Sequence, residues 1–354
     1  MEPSENPDFI GQRDAERALL ESACSGRLAH AWLLTGPRGV GKATLAYRLA
    51  RFLLAGEHRR TVSLLGERPS SLYLEPGNAT FRRVASGSHP DLRRLARAIN
   101  PDTGKLRGEI VVDDLRKAVA FLRLTPSEGG WRFIIVDGAE EMNRNAQNAL
   151  LKVLEEPPAS AVLLLVSHAP GRLLPTVRSR CRRLELRPLP ATSVAQLIEK
   201  RMPDLAEADR KLAVALAEGS IGRALSILEA DGIEMYRDLG SLLSALPGID
   251  ARELHRQADR LSRSGSEEAY RMAVDLLLGW LARMIRLGAG GGVGEFAAGE
   301  HETMRRLGQA CRLHHWIELF ELLRTQFELV ESVNLDRRQV WVSSLLDIQR
   351  LAAA

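Results

Sequence analysis

The chain has 354 residues, 45% hydrophobic and 27% charged, which places it among globular proteins with room for two or three domains. A formal net charge of +4 permits contact with nucleic acid without demanding it, and 4 Tyr with 8 Phe are too few for base stacking to be the main activity. The 3 cysteines, Cys24, Cys181 and Cys311, are odd in number and far apart, which argues against a disulfide framework or a CxxC zinc site and fits a reducing cytoplasm. No stretch approaches a membrane span, and the polar start MEPSENPDFIGQRDAE reads as no signal peptide.

Residues 13–25 are expected to form a helix with Ala15, Ala18, Leu19 and Ser22 on one face. Trp32-Leu33-Leu34 then reads as a strand running into GPRGVGKAT, Gly36 to Thr44, followed by a helix carrying Leu45, Leu49 and Leu53. Strand, glycine loop and helix form the context of a phosphate-binding P-loop. Gly36, Gly39 and Gly41 let backbone N–H groups turn inward, the helix N-terminus adds a positive dipole end, and Lys42 reaches for phosphate oxygens. The next position, which normally offers a hydroxyl to Mg²⁺, is Ala43; Thr44 lies one residue on, roughly 100° further round the helix.

Residues 56–90 mix Gly, Pro, Ser and Arg with short apolar runs and are read as an insertion or loop. Residues 112–123 return to helical spacing, and Pro126, Gly129 and Gly130 break it. Phe133 to Val136 reads as a strand buried on both faces that ends in Asp137, the arrangement of an acidic residue acting on a Mg²⁺ shell. Asn143 caps a helix that Pro157-Pro158 stops; Ala161 to Val166 is a further buried strand ending at Ser167, and Leu184 to Leu186 a short one. Alternating strands and helices predict an α/β domain with a parallel sheet, its ligands at the carboxyl ends of the strands, where the P-loop, Asp137 and Ser167 fall. After Pro188 only helical patterns remain, including Leu276, Leu277, Trp280, Leu281 and Met284, interrupted by the linker-like GAGGGVG at 288–294. The division expected is 1–190, 191–234 and 235–354. His30 and His89 read as packing or capping residues, and Trp280 and Trp316 as core.

The order P-loop, apolar strand ending in Asp, NALLKVLEEPP, apolar strand and LLPTVRSRC resembles the clamp-loader branch of the AAA+ ATPases, most strongly over residues 7–190. HPDL at 89–92, GSIGRAL at 219–225 and VNLDRRQ near the C-terminus support it. The resemblance implies a P-loop AAA+ domain, a small helical lid domain and an all-α C-terminal collar domain. It implies a subunit of the bacterial DNA polymerase III clamp loader, with gamma/tau and delta subunits as partners. The sliding clamp and primed DNA would be met through that complex, in the cytoplasm and away from membranes. In this family the arginine of the Ser179-Arg180-Cys181 triplet is a trans-acting arginine finger for the ATP of a neighbouring subunit, and Arg180 matches it. Cys181 reads as a small packed residue, not a nucleophile.

The departures from the pattern are consistent with one another. Gly138 stands where catalytic relatives carry the glutamate that activates water, and Glu140 and Glu141 are displaced by two residues or more. Ala43 lacks the metal-binding hydroxyl. Gly222 stands where catalytic subunits carry a sensing arginine, with Arg223 one residue along. The expectation is a subunit that does not hydrolyse ATP itself. ATP or ADP held by Lys42, Thr44, Asp137, Ser167 and Arg223 stays open as a cofactor. No zinc is expected, because residues 56–90 lack the four cysteines of the family's zinc module. The competing readings are a catalytic clamp-loader ATPase of gamma/tau type and an unrelated P-loop regulator.

Overall fold

Apolar runs too short to be helices pair side by side in the computed structural model, which describes residues 2–57, 69–100, 104, 106–128, 130–263, 265–333 and 335–353. They are β1 (Ala31–Thr35), β2 (Leu92–Leu95), β3 (Arg132–Asp137), β4 (Ala161–Ser167) and β5 (Arg182–Glu185), and the 5-stranded sheet has the order β2-β3-β4-β1-β5. Each neighbouring pair is parallel. β1, β3 and β4 are buried along almost their whole length, as central parallel strands covered on both faces must be. β5 begins two residues before the run Leu184 to Leu186 and ends at Glu185.

Helices α1 (Arg13–Cys24) and α2 (Lys42–Leu54) cover one face of the sheet, packing with Trp32, Leu34, Phe133, Ile135, Val162 and Leu164. On α1, Leu20 and Ala23 join the expected Ala15, Leu19 and Ser22 in burial, while Ala18 is half-buried. Helix α3 (Ala79–Ala85) lies inside the stretch read as loop; the Asn78 side chain accepts from Thr80 N at 2.8 Å, and Phe81 and Val84 are buried. Positions 58–68 of that stretch lie outside the described residues. The other face carries α4 (Val112–Leu122), α5 (Arg144–Glu155) and α6 (Pro175–Arg178), which pack with Leu33, Ile134, Val136, Leu163 and Leu165. Asn143 caps α5 as expected, its Oδ1 accepting from Ala146 N at 2.9 Å. The odd and even residues of β3 and β4 therefore serve different helical layers, which is the period-2 consequence of a strand.

The remainder is helical: α7 (Ala191–Arg201), α8 (Glu207–Ala217), α9 (Ile221–Glu229), α10 (Gly232–Ser244), α11 (Ala251–Ser262), α12 (Glu267–Gly288), α13 (Glu300–Ala310), α14 (Leu313–Val333) and α15 (Arg337–Ala352). The chain divides into two compact units, Met1–Leu197 with Gly219–Gly222, and Ile198–Glu218 with Arg223–Ala354. In the second unit α14 buries Trp316, Leu319, Leu323, Phe327 and Val330, a 3–4 residue stripe. Tyr270 meets Phe327 and Trp341 edge-on, with centroids 6.4 and 6.5 Å away. A parallel α/β sheet followed by helices is the architecture expected from the sequence. Among the described residues no helix is long and apolar enough to cross a membrane.

Candidate functional site

The glycine loop leaves the end of β1, in the interior of the sheet between β4 and β5. Gly36, Gly39 and Gly41 all have positive φ, and Lys42 opens α2 with Gly41 as its left-handed N-cap. These positive-φ glycines turn the backbone sharply between β1 and α2. Lys42 is buried, and its Nζ donates to the loop's own carbonyls, to Gly36 O at 2.8 Å and Pro37 O at 2.5 Å. Burial pulls its pKa down to about 8, partly opposed by the carboxylates of Glu140 and Asp137.

Residues 219–222 close on the tip of the loop. Ser220 Oγ donates to Arg38 O at 2.8 Å, and Gly222 N donates to Gly39 O at 3.0 Å. A Cβ at Gly222 would lie 2.8 Å from Gly39 Cα, too close for any side chain. The glycine at 222 is therefore a packing requirement here. Arg223, read from sequence as a nucleotide contact, pairs with Asp275 of α12 at 2.9 Å and with Glu218 at 3.5 Å.

Asp137 ends β3 as expected, but its carboxylate is engaged: Arg94 Nη2 lies 2.9 Å from Oδ2. The register explains the contact. Arg94 of edge strand β2 stands opposite Ile135, on the α2 face of the sheet that Asp137 shares two residues further on. Its neighbour Arg93 takes the other face, over the Phe121 ring of α4 at 4.8 Å. Gly138 follows Asp137 at φ 84°, a left-handed conformation that disfavours glutamate, and a Cβ there would come within 2.7 Å of Glu141.

The displaced acids diverge. Glu141 turns to Arg97, at 3.0 Å, as expected of a residue aimed elsewhere. Glu140 is buried, accepts from His168 N at 3.2 Å, pairs with His168 Nδ1, and acts electrostatically on Lys42. Its Oε2 has no partner. Ser167, at the end of β4 and paired in register with Thr35, is buried with its hydroxyl unpartnered. Thr44 is buried in α2.

A P-loop of this class implies Mg²⁺ beside the nucleotide phosphates. The residues do not fit that metal: Ala43 presents a methyl group, and the Asp137 carboxylate already holds a guanidinium, whose charge opposes a second cation at the same oxygen. Among the described residues no group of three or more His, Cys, Asp or Glu is arranged to hold a metal ion.

Arg180 lies just after α6, whose Val177 packs on the face opposite α2, together with the partly buried Cys181. Its guanidinium donates to Thr176 O at 3.1 Å and pairs with Glu155, in the LEEPP run, at 2.8 Å. The Ser179 hydroxyl donates to the same Thr176 carbonyl at 3.2 Å, so the triplet is fastened to the last turn before it. Burial pushes the Cys181 thiol up to about 12, which keeps it an inert packed group at neutral pH.

A family model described as "DNA polymerase III, delta subunit" matches residues 11–190. The chain belongs to the DNA polymerase III delta subunit family. The match takes in the glycine loop, Asp137, Ser167 and Arg180, that is, the α/β sheet and both faces of the site. A "DNA polymerase III subunit delta'" from Pseudomonas aeruginosa is 39% identical over 194 residues, covering 54% of this chain and 53% of that one. The protein of the same name from Escherichia coli K12 is 32% identical over 238 residues, covering 67% and 64%. A "DNA polymerase III subunit tau/gamma" from Haemophilus influenzae is 31% identical over 232 residues, covering 64% of this chain and 31% of the relative. The chain thus spans from about a third to under two thirds of the length of these relatives.

Sequence reasoning missed Arg94 and Glu140. Arg94 sits in LRRL, where paired arginines hide the edge strand, and only the strand pairing brings it to Asp137.

Proposed function

We propose that this chain is a non-catalytic subunit of the DNA polymerase III clamp loader. In this reading it helps load the sliding clamp onto primed DNA, and Arg180 completes the ATP site of a neighbouring gamma/tau subunit. The delta subunit is a further partner, the compartment is the cytoplasm, residues 191–234 serve as lid and residues 235–354 as collar. The observation that carries the reading is the split across the sheet. The chain's own P-loop helix packs on one face, while the segment bearing Arg180 is anchored on the other.

The chemistry suits the role. A guanidinium is planar, always charged and able to meet two phosphoryl oxygens at once, so it stabilises charge that builds on a transferred phosphoryl group. The ion pair with Glu155 is half-exposed and contributes about 0–1 kcal/mol to folding, so Arg180 is free to exchange Glu155 for a phosphate. The chain's own loop is unsuited to hydrolysis, with Gly138 at the base position, no hydroxyl at Ala43 and Arg94 on Asp137. ATP or ADP at Lys42 would be held and not cleaved. Steady-state ATP turnover by the purified chain tests this half of the reading. No turnover above buffer is expected, and a rate matching that of the assembled complex would make the chain a catalytic subunit of gamma/tau type.

A further inference from the structure

We propose that Arg94 is a built-in cation that stands in the divalent metal's place on Asp137, so that the P-loop of this chain excludes Mg²⁺ whether or not a nucleotide is present. The inference concerns the chain's own loop and stands apart from what Arg180 does for a neighbour.

Two independent placements support it. The first is the strand register. Arg94 opposite Ile135 points to the α2 face, where its side chain reaches along the sheet to the Asp137 carboxylate at 2.9 Å, with Glu2 a second, looser acidic neighbour at 3.9 Å. A half-exposed pair of this kind adds little to folding, so its main consequence is electrostatic and local. It neutralises the one carboxylate that a P-loop of this class offers to metal. The second is the remaining charge around the loop, which is compensated from within the chain. Lys42 is held by two loop carbonyls, the buried Glu140 carboxylate offsets part of the cost of burying its charge, and Glu141 is paired with Arg97. With Ala43 unable to ligate, a hydrated divalent cation arriving at Asp137 would meet the Arg94 guanidinium and no second protein ligand.

The test compares the full chain with Ala43→Ser, Arg94→Gln, the Ala43→Ser/Arg94→Gln pair and Arg94→Lys. The fluorescent nucleotide N-methylanthraniloyl-ADP is titrated with excess Mg²⁺ or with EDTA, and protein-held metal is read by electron paramagnetic resonance of Mn²⁺ with ADP present. The unmodified chain, Ala43→Ser alone and Arg94→Lys should show no Mg²⁺-dependent gain and hold no Mn²⁺. The pair should bind the nucleotide about tenfold or more tighter with Mg²⁺ than with EDTA and hold Mn²⁺. The proposal is overturned if the unmodified chain or Ala43→Ser alone gains as much from Mg²⁺ as the pair does. It is equally overturned if the pair, melting at an unchanged temperature, gains nothing.

Discussion

At the scale of single residues, the loop that resembles an ATP site engages groups of this chain. Lys42 shows it most directly. An unfolded lysine keeps its proton to near 10.5, whereas folded Lys42 gives it up near 8, so between those values the unfolded chain binds more protons and stability rises with pH. Below 8 the cost of burying the charge is fully present. Lys42→Met should therefore melt about 2–4 °C above the unmodified chain near pH 7, and the gap should close as the pH rises toward 10. Thermal unfolding of both proteins across that range checks this, and a gap that widens with pH contradicts it. Gly222 gives a second residue-scale expectation. With Gly39 Cα 2.8 Å from the place of a Cβ, Gly222→Ala should lower stability by about 1–3 kcal/mol, as an overpacked contact does. Denaturant unfolding measures it, and a neutral result would mean that residues 219–222 yield without cost.

At the scale of elements, the HPDL run has a structural role. Asp91 is buried at the start of β2, where it accepts from Ser127 N at 2.9 Å and Glu128 N at 3.3 Å. It also meets Arg132 of β3 at 3.2 Å, while Arg132 donates to Thr125 O and Phe121 O. One carboxylate thus ties an edge strand, the turn after α4 and the first residue of β3. Asp91→Ala leaves Arg132 buried without its counter-charge and should cost about 3–5 kcal/mol, with the Asp91→Ala/Arg132→Met pair less destabilised than the sum of the two single changes. Strict additivity in urea unfolding would show that the two side chains do not act together. The same region shows where sequence stops being legible. β1, β3 and β4 are continuous apolar runs because parallel strands are buried on both faces, and α5 announces itself through Asn143 and Pro157. β2 carries two arginines between leucines because it is an edge strand whose polar residues lie over α4 or reach toward Asp137, so no period marks it. α3 has only 7 residues, too few for helical periodicity to register. The acid positions were legible as types, but the burial of Glu140 against His168 depends on the turn at Ala139–Glu141, which no spacing rule encodes.

At the scale of the whole molecule, the glycine-loop helix and the segment bearing Arg180 pack on opposite faces of one sheet. The α2 face holds a glycine loop whose lysine, neighbouring acid and tip all have partners inside the chain. The opposite face anchors Arg180, tied to Glu155 by a half-exposed ion pair that a phosphate could replace. Lys42→Ala should then leave clamp loading by the assembled complex nearly intact, and loss of loading with the fold preserved would return importance to this chain's own loop. The central claim is that Arg180 acts on a neighbour's ATP. The most direct measurement is clamp- and DNA-stimulated ATP hydrolysis by the complex reconstituted with gamma/tau and delta subunits, carrying either Arg180 or Arg180→Ala, with assembly checked by size exclusion. The account predicts an intact complex whose neighbouring site slows by about tenfold or more; an intact complex with unchanged turnover would contradict it.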